Sequence, residues 1–263
     1  MHWIIEYIHD DNGDRELAAA AEKQGHQVTF LKPEKDIPAE KLPQGLALFH
    51  GSMQKAAEIQ AARQDISIWL DPAAFECVNY LPKVGEFLFN SVYIILSVSE
   101  LIRLKWTVYQ WLAKDTKIFV RPSSGLKTFT GTLLDLQDFD RFWKNSVMCS
   151  AKPPDLVVIS SPKDIQGEWR FVADSSGKLV AASTYLYQGN RTYLPSAPEG
   201  ATELCQRVLN TGFAPGPMFV LDVASDCHGR YGLLEANAFS TAALYACKME
   251  AVVKRAGELM ENK

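Results

Sequence analysis

Two carboxylates and an amide interrupt apolar stretches near the C-terminal end of the sequence. Asp222 lies inside the apolar run at residues 219–223, and Glu235 and Asn237 follow the apolar pair at residues 233–234. Carboxylates brought together in a half-buried strand pair cost free energy unless a cation or a shared proton relieves their charge. These three positions are therefore the first candidates for chemistry.

A polar stretch between the two apolar runs predicts a β-hairpin. With a two-residue turn centred on His228 and Gly229, Asp222 pairs with Glu235, and Asn237 shares their face because side chains two apart point the same way. Three oxygen donors with room for water molecules suit Mg²⁺. The alternative is that Asp222 and Glu235 point to solvent from an edge hairpin.

The composition is that of an ordinary globular protein. The chain has 263 residues, 47% of them hydrophobic and 22% charged, with a net charge of −4. Because no Lys/Arg run is present, nucleic-acid binding has no electrostatic basis. Five scattered cysteines favour reduced thiols, the N-terminus lacks a signal-peptide pattern, and no apolar stretch is long enough to cross a bilayer. We expect a soluble, cytoplasmic protein without a membrane partner.

Up to about residue 90, strand-like and helix-like segments alternate. The patterns predict two small α/β stretches, at residues 3–8, 14–24 and 27–31 and at residues 46–50, 53–64 and 66–70. No GxGxxG motif is present, so a dinucleotide site is unsupported. His9 and His50 lie at predicted strand ends, where we expect structural roles for both.

Beyond residue 95 the pattern changes. Residues 98–113 predict a helix, and "KIFVRPSSGLKTFTGTLLDL" predicts a strand, a Ser/Gly loop and a second strand. A hairpin follows that turns at residues 175–177, and a C-terminal helix begins near Thr241, capped by Ser240 and Thr241. The sequence thus predicts an α/β leading domain followed by α+β lobes.

Three stretches, taken in order, resemble the ATP-grasp superfamily. Asp222, Glu235 thirteen residues later and Asn237 after that resemble its metal-binding signature. "FVRPSSGLKTFTG" resembles its strand and glycine-rich loop over the nucleotide phosphates, and "VVISSPKDIQGEWRFV" resembles its hinge strand and Gly-Glu element. "RPSSGLK", "EWRFV" and "EANAFSTAALY" look like a divergent bacterial and phage branch.

The resemblance implies three segments and two ligands. Residues 1–95 would form an α/β leading domain, residues 96–160 an N-lobe with the phosphate loop, and residues 161–263 a C-lobe with the metal site. The ligands are ATP and Mg²⁺, with Asp222, Glu235 and Asn237 as metal ligands that bridge to the ATP phosphates.

The phosphate loop departs from the superfamily's pattern at one position. Arg121 stands before Pro where Lys is usual, and it holds phosphate as a fork rather than as a point charge. Lys127 would supply the missing ammonium as a nucleotide-binding and catalytic residue, or it is a solvated loop lysine. Ser123, Ser124 and Gly125 would let backbone N–H groups approach the phosphates, although a plain turn after Pro predicts the same letters.

The resemblance assigns further roles around the hinge. Ser160 and Ser161 would occupy the hinge that reads adenine, and Glu168 would accept the ribose hydroxyls. Arg170 shares a face with Glu168, so it either pairs with that carboxylate or reaches the γ-phosphate or a substrate carboxylate. In the latter role it would replace the transition-state Arg that several relatives carry where this chain has Val220.

The implied reaction is ATP-dependent carboxylate–amine ligation through an acyl phosphate, on an amino acid or peptide that offers a carboxylate to an amine acceptor. One alternative is a kinase of the same fold that phosphorylates a small molecule. Another is a nucleotide-binding module without turnover, which the change at Arg121 and the apolar Val220 keep open.

Overall fold

The computed structural model describes residues 1–8, 13–32, 42–125 and 128–261. These residues form two compact units, one made of Met1–Asp71 with Ile165–Lys263 and the other of Pro72–Asp164. The three segments predicted from the sequence, residues 1–95, 96–160 and 161–263, were defined by their expected roles in ATP binding. They stay a prediction.

The described residues contain both helices and strands, numbered here in chain order. The strands are β1 (His2–Glu6), β2 (Gln27–Leu31), β3 (Ala47–His50), β4 (Tyr93–Ser97), β5 (Lys117–Pro122), β6 (Thr132–Asp135), β7 (Leu156–Ser160), β8 (Gly167–Asp174), β9 (Leu179–Tyr187), β10 (Asn190–Leu194), β11 (Met218–Ser225) and β12 (Tyr231–Ala238). The helices are α1 (Asp14–Lys23), α2 (Met53–Ala62), α3 (Cys77–Tyr80), α4 (Val98–Arg103), α5 (Lys105–Leu112), α6 (Phe139–Lys144), α7 (Glu199–Asn210) and α8 (Met249–Glu261). None of them is long and apolar enough to cross a membrane.

A three-stranded parallel sheet with strand order β2-β1-β3 opens the first unit. The first predicted β-α-β stretch is confirmed, with α1 between β1 and β2. The strand predicted at residues 66–70 is wrong, since only Ser67 forms a bridge, to Leu48. The ladder stops there because the next available backbone donor on that side, the Trp69 N–H, is bound by the Ser240 hydroxyl oxygen at 2.8 Å.

A five-stranded antiparallel sheet with strand order β10-β9-β8-β11-β12 forms the rest of the first unit. One face of this sheet is apolar at one end, where Val172 and Val220 pack in a core with Trp3 of β1 and Val252 of α8. Helix α7 packs on β11 and β12. The polar residues singled out in the sequence lie on β8, β11 and β12, beginning at Asn237, which pairs with Val220 of that core.

The second unit is built on an antiparallel sheet with strand order β4-β7-β5-β6. Its buried core includes Leu101, Val120, Phe139 and Ile159. The helix predicted at residues 98–113 is present as two helices, because α4 ends at Arg103 and α5 begins at Lys105.

The last helix begins later than predicted. Helix α8 starts at Met249, and Ser240 and Thr241 lie instead in a short 3-10 turn, Phe239–Thr241. The capping role predicted for Ser240 is therefore wrong, because its hydroxyl accepts the Trp69 N–H.

Candidate active site

The β11–β12 hairpin turns through residues 226–230. The Asp226 Oδ1 accepts the backbone N–H groups of His228 and Arg230, both at 3.0 Å, and Gly229 has a φ of 74°. The Asp226 N–H in turn donates to the Arg230 carbonyl. The two-residue turn predicted from the sequence is therefore wrong, since Asp226 folds the chain around its own carboxylate.

The register nevertheless brings the predicted pair together. Next to the turn Ser225 pairs with Tyr231, one residue out of the predicted register, and a register shift then leaves Leu234 as an extra residue on β12. This bulge offsets the longer turn, so the pairing of Asp222 with Glu235 is confirmed. Bulges that re-aim side chains are common beside active sites.

Four polar side chains meet at this point of the sheet. Arg170 lies directly opposite Asp222 on the neighbouring strand, and its Nε and Nη2 donate to the Asp222 Oδ1 and Oδ2 at 2.8 and 2.7 Å. The Asn237 amide nitrogen donates to Glu235 Oε1 at 2.8 Å and to Asp222 Oδ2 at 3.2 Å. Arg170 thus forms its ion pair with Asp222 rather than with Glu168, the structural partner considered from sequence.

The cluster carries an excess of negative charge. Burial raises the pKa of Glu168, and the nearby charges of Asp222 and Glu235 raise it further. Burial also raises the pKa of Asp222, against the opposing effect of the Arg170 charge. Three carboxylates surround one guanidinium, so a further cation would be stabilised here.

The donor set fits Mg²⁺. Asp222, Glu235 and Asn237 supply oxygen ligands of the kind that Mg²⁺ prefers, with positions left for water and phosphate. The Asn237 amide nitrogen now bridges the two carboxylates, so metal binding requires the amide to turn its oxygen inward. Among the described residues no three His, Cys, Asp or Glu side chains form a metal-binding group, which leaves two carboxylates and an amide.

Arg170 retains hydrogen-bonding capacity. Of its five N–H groups, two bind Asp222 and one on Nη1 donates to the Ala243 carbonyl at 2.6 Å. The described residues leave two N–H groups for an oxyanion. Burial lowers the pKa of Arg170, but the charge and hydrogen bonds of Asp222 outweigh burial, so the pKa is raised and the side chain stays charged.

Two tyrosine rings contact the guanidinium, and a third ring packs on one of them. The Tyr245 ring stacks on the rings of Tyr185 and Tyr193, with centroids 5.0 and 5.6 Å apart, and the Arg170 Cζ lies 4.8 Å from the Tyr245 centroid. Sequence reasoning missed Tyr193 and Tyr245. Their positions depend on a bulge in β10 and on a left-handed turn, neither of which leaves a periodic signal.

The predicted phosphate-loop residues lie in the second unit. The Ser123 N–H donates to the Leu156 carbonyl at 2.8 Å, and its Oγ accepts the Val78 N–H at 3.2 Å. The prediction that the Ser123 N–H faces phosphate is therefore wrong, because that donor is bound within the fold. Ser124 and Gly125 are partly exposed, and Lys127 lies outside the described residues.

Ser123 and Ser124 also line a cavity of about 310 Å³. Glu76 and Asp155 line the same cavity, and their charge disfavours a phosphate in it. The cavity therefore gives no support to the phosphate-binding prediction.

The remaining predicted residues of the second unit occupy the ends of β5 and β7. Arg121 is half-buried near the end of β5, where it pairs with Val158. Ser160 ends β7 and is buried, whereas Ser161 beyond it is partly exposed. These positions fit a strand end followed by a hinge, and the adenine-binding role stays a prediction.

His50 is buried at the end of β3. Its ring packs edge-on against Phe239 with centroids 5.3 Å apart, and burial lowers its pKa to about 4. A neutral, enclosed imidazole fits the structural role expected for it. His9, for which the same role was expected, lies outside the described residues.

The profile of an ATP-grasp domain family, family 3 of its clade, matches residues 43–256, which is more than half of the chain. The chain belongs to this family. The predicted membership of a divergent ATP-grasp branch, with an α/β leading domain and α+β ATP-grasp lobes, is confirmed. A search of curated proteins finds no match.

Solved structures share the ATP-grasp fold at low sequence identity. D-cycloserine synthetase DcsG is 10% identical with a TM-score of 0.69, over 98% of this chain and 99% of that one. D-alanyl-alanine synthetase A from Vibrio cholerae is 13% identical with a TM-score of 0.59, over 100% and 98%. Macrocyclase MdnC from Microcystis aeruginosa, bound with precursor peptide MdnA, is 12% identical with a TM-score of 0.54, over 100% of both chains.

Proposed function

We propose that this ATP-grasp protein is an ATP-dependent carboxylate–amine ligase that acts on an amino acid or peptide through an acyl phosphate. The observation that carries the proposal is the meeting of Asp222, Glu235 and Asn237 with Arg170 on one face of the sheet. The cluster has more carboxylates than cationic groups, which favours a cation, and it keeps guanidinium donors for an oxyanion. Both are requirements of phosphoryl transfer.

The reaction takes two steps. A carboxylate oxygen of the first substrate attacks the γ-phosphorus of ATP and ADP leaves. The amine nitrogen of the second substrate then attacks the acyl carbon, loses a proton, and inorganic phosphate leaves. Neither step needs a side-chain nucleophile, so the demand on the protein is positioning and charge neutralisation.

The residues divide that work. Asp222, Glu235 and Asn237 would hold Mg²⁺, which when bound neutralises charge on the ATP phosphates. Arg170 would donate its two remaining N–H groups to the transferred phosphoryl group or to the substrate carboxylate. It would thereby take the role of the transition-state arginine that several ATP-grasp relatives carry at the position of Val220. In this chain Val220 is fully buried in the apolar core.

The nucleotide-binding roles predicted from the sequence remain part of the proposal. Arg121 and Lys127 would bind phosphates with Ser124 and Gly125, and Glu168 would accept the ribose hydroxyls. The raised pKa of Glu168 favours its neutral form more than is usual for a carboxyl group. Ser160 and Ser161 would hold the adenine through main-chain groups.

The structures that share the fold support the proposed substrate class. A D-cycloserine synthetase, a D-alanyl-alanine synthetase and a macrocyclase bound to a precursor peptide share the fold. We therefore propose an amino acid or a peptide as the carboxylate donor, with cytoplasmic ATP as the phosphoryl donor.

Product analysis tests the proposal. The protein is incubated with Mg-ATP, a panel of amino acids and dipeptides, and hydroxylamine, which converts an acyl phosphate to a hydroxamate. A ligase releases ADP and inorganic phosphate and forms a hydroxamate with at least one acid. A phosphorylated product without phosphate release indicates the kinase, and ATP binding without ADP formation indicates the nucleotide-binding module; either outcome contradicts the ligase.

A further inference from the structure

Arg170 is held by two independent sets of contacts. One set is the pair of hydrogen bonds to Asp222. The other is made by the segment at residues 243–245, whose Ala243 carbonyl accepts the Nη1 donor at 2.6 Å and whose Tyr245 ring faces the guanidinium at 4.8 Å. The Tyr185 ring adds a second aromatic contact at 5.6 Å.

The proposed function places conflicting demands on Asp222. Both of its oxygens are bound by Arg170, and one also accepts from Asn237. A metal ion at Asp222 would compete with Arg170 for the carboxylate charge and so weaken the ion pair. The Arg170 side chain is only 7% exposed, so solvent screens its charge only weakly. The contacts with the Ala243 carbonyl and the Tyr245 ring must then stabilise the guanidinium charge.

The local structure fixes the Tyr245 ring firmly enough for this task. Tyr245 has a left-handed backbone with a φ of 49°, which is uncommon outside glycine and clusters at functional sites. The next residue, Ala246, donates its N–H to the buried Ser183 hydroxyl at 3.1 Å. Gly13 of the leading segment packs so closely on the Tyr245 carbonyl that an added Cβ would lie 2.5 Å from it.

Irregularities in strand pairing position the other two rings, those of Tyr185 and Tyr193. In β9 the register shift next to Trp169 leaves Tyr185 as the extra residue. In β10 a second register shift lies between Arg191 and Leu194, and Tyr193 falls within it. The three rings are near parallel, with interplanar angles of 22° and 23°. The Tyr245 ring thus packs against two other aromatic rings.

We propose that Tyr245 is a positioning residue that holds the Arg170 guanidinium in place when Mg²⁺ takes the Asp222 oxygens. This inference rests on the proposed function and deepens it, because it explains how one buried carboxylate serves a metal and an arginine in turn. The ring face attracts the guanidinium without competing for its N–H donors.

The test compares Mg²⁺-dependent nucleotide binding in three variants. Titration calorimetry with a non-hydrolysable ATP analogue measures the affinity with and without Mg²⁺. Tyr245→Leu removes the ring, and we expect it to weaken the Mg²⁺-dependent affinity by about tenfold. Tyr245→Phe keeps the ring and restores the affinity to within about threefold of wild type.

Tyr231→Leu is the matched control. Tyr231 lies on the same sheet and packs on Trp169, with centroids 5.6 Å apart, away from Arg170. We expect it to leave the affinity within about threefold of wild type. If Tyr245→Leu does not fold, as judged by circular dichroism, Tyr193→Leu replaces it, because it removes the neighbouring ring from an edge strand.

A second readout follows Arg170 itself. The ¹⁵Nε resonance of Arg170 should stay sharp in wild type when Mg²⁺ and the analogue are added, and broaden in Tyr245→Leu. Equal affinities and sharp resonances for Tyr245→Leu and Tyr231→Leu, or for Tyr193→Leu in its place, overturn the positioning role. If wild type shows no Mg²⁺-dependent binding, the proposed function fails first, and the positioning role fails with it.

Discussion

Two buried aspartates on the five-stranded sheet each pair with an arginine, yet their surroundings differ. Asp222 pairs with Arg170, and Asp174 pairs with Arg255 through an Oδ2–Nε hydrogen bond of 2.5 Å. The two aspartate side chains are 1% and 0% exposed. The two carboxylates are thus alike in surface exposure, and they differ in the other donors that each accepts.

Asp174 is bound by the chain around it. Its Oδ1 accepts the Ser176 N–H and Oγ at 2.8 and 2.6 Å and the Lys178 N–H at 3.2 Å. Burial works to raise the pKa of Asp174, but the donors of Ser176 and Arg255 outweigh it, and the pKa is lowered. Asp174 closes the β8–β9 hairpin and belongs to the fold.

Asp222 is bound by side chains rather than by the backbone around it. Among the described residues its donors are the Arg170 guanidinium and the Asn237 amide, and the Glu235 carboxylate lies next to it. Its pKa is raised by burial. The comparison shows how to separate a structural from a functional buried carboxylate: backbone donors fix the first, whereas exchangeable side chains leave the second able to accept a metal.

The largest expected effect comes from breaking the functional pair. Arg170→Met removes the charge and the oxyanion donors, and we expect the rate of ATP-dependent product formation to fall by at least about 100-fold. Arg255→Met is the matched control, for which we expect a rate within about threefold of wild type and a lower unfolding temperature. Equal losses of rate in the two variants would contradict the distinction between the pairs.

A smaller effect is expected from the structural pair. Asp174→Asn removes the charge from a carboxylate that accepts backbone donors, and we expect the free energy of unfolding to fall by about 1–3 kcal/mol. Urea denaturation measures this loss, and calorimetry should show unchanged Mg-ATP affinity. A variant as stable as wild type would show that the hairpin does not depend on Asp174.

The smallest expected effect is on the pH dependence of the free energy of unfolding. It should have opposite signs for Glu168 and Asp174, which lie near the two ends of β8. The raised pKa of Glu168 means that its contribution to stability is lost as pH rises above its ordinary value of 4.5. Glu168→Gln should therefore gain stability relative to wild type with rising pH.

Asp174 should behave in the opposite way. Its pKa is lowered, so its contribution is lost as pH falls below the ordinary value of 3.8. Relative to wild type, Asp174→Asn should be least stable near neutral pH and approach wild type in acid. Urea denaturation across the pH range measures both variants, and parallel pH profiles would contradict the account.

The sequence predicted much of the fold because its signals are local. The first β-α-β stretch and the late hairpin follow from apolar periodicity, and the ATP-grasp family follows from motif order. The pairing of Asp222 with Glu235 was predicted correctly from a wrong turn, since the bulge at Leu234 compensates. Neither the carboxylate-bound turn at Asp226 nor the bulge has a periodic pattern that predicts it.

The partners of Arg170 were harder to predict from the sequence. Its pairing with Asp222 joins residues 52 positions apart, and its contact with the Ala243 carbonyl spans 73 positions. Such contacts depend on strand order and on the left-handed turn at Tyr245. For the same reason the sequence did not predict that the Ser123 N–H is bonded within the fold. The residues of this Ser/Gly loop fit a phosphate-binding loop equally well.

The most direct measurement is calorimetric titration of ATP with and without Mg²⁺ into wild type, Asp222→Asn/Glu235→Gln and Asp174→Asn. We expect Mg²⁺-dependent binding in wild type and Asp174→Asn, weakened at least about tenfold, or about 1.4 kcal/mol, in the double variant. If Mg²⁺ does not strengthen ATP binding, or if the double variant binds like wild type, the cluster around Asp222 is not a metal site and the ligase proposal is contradicted.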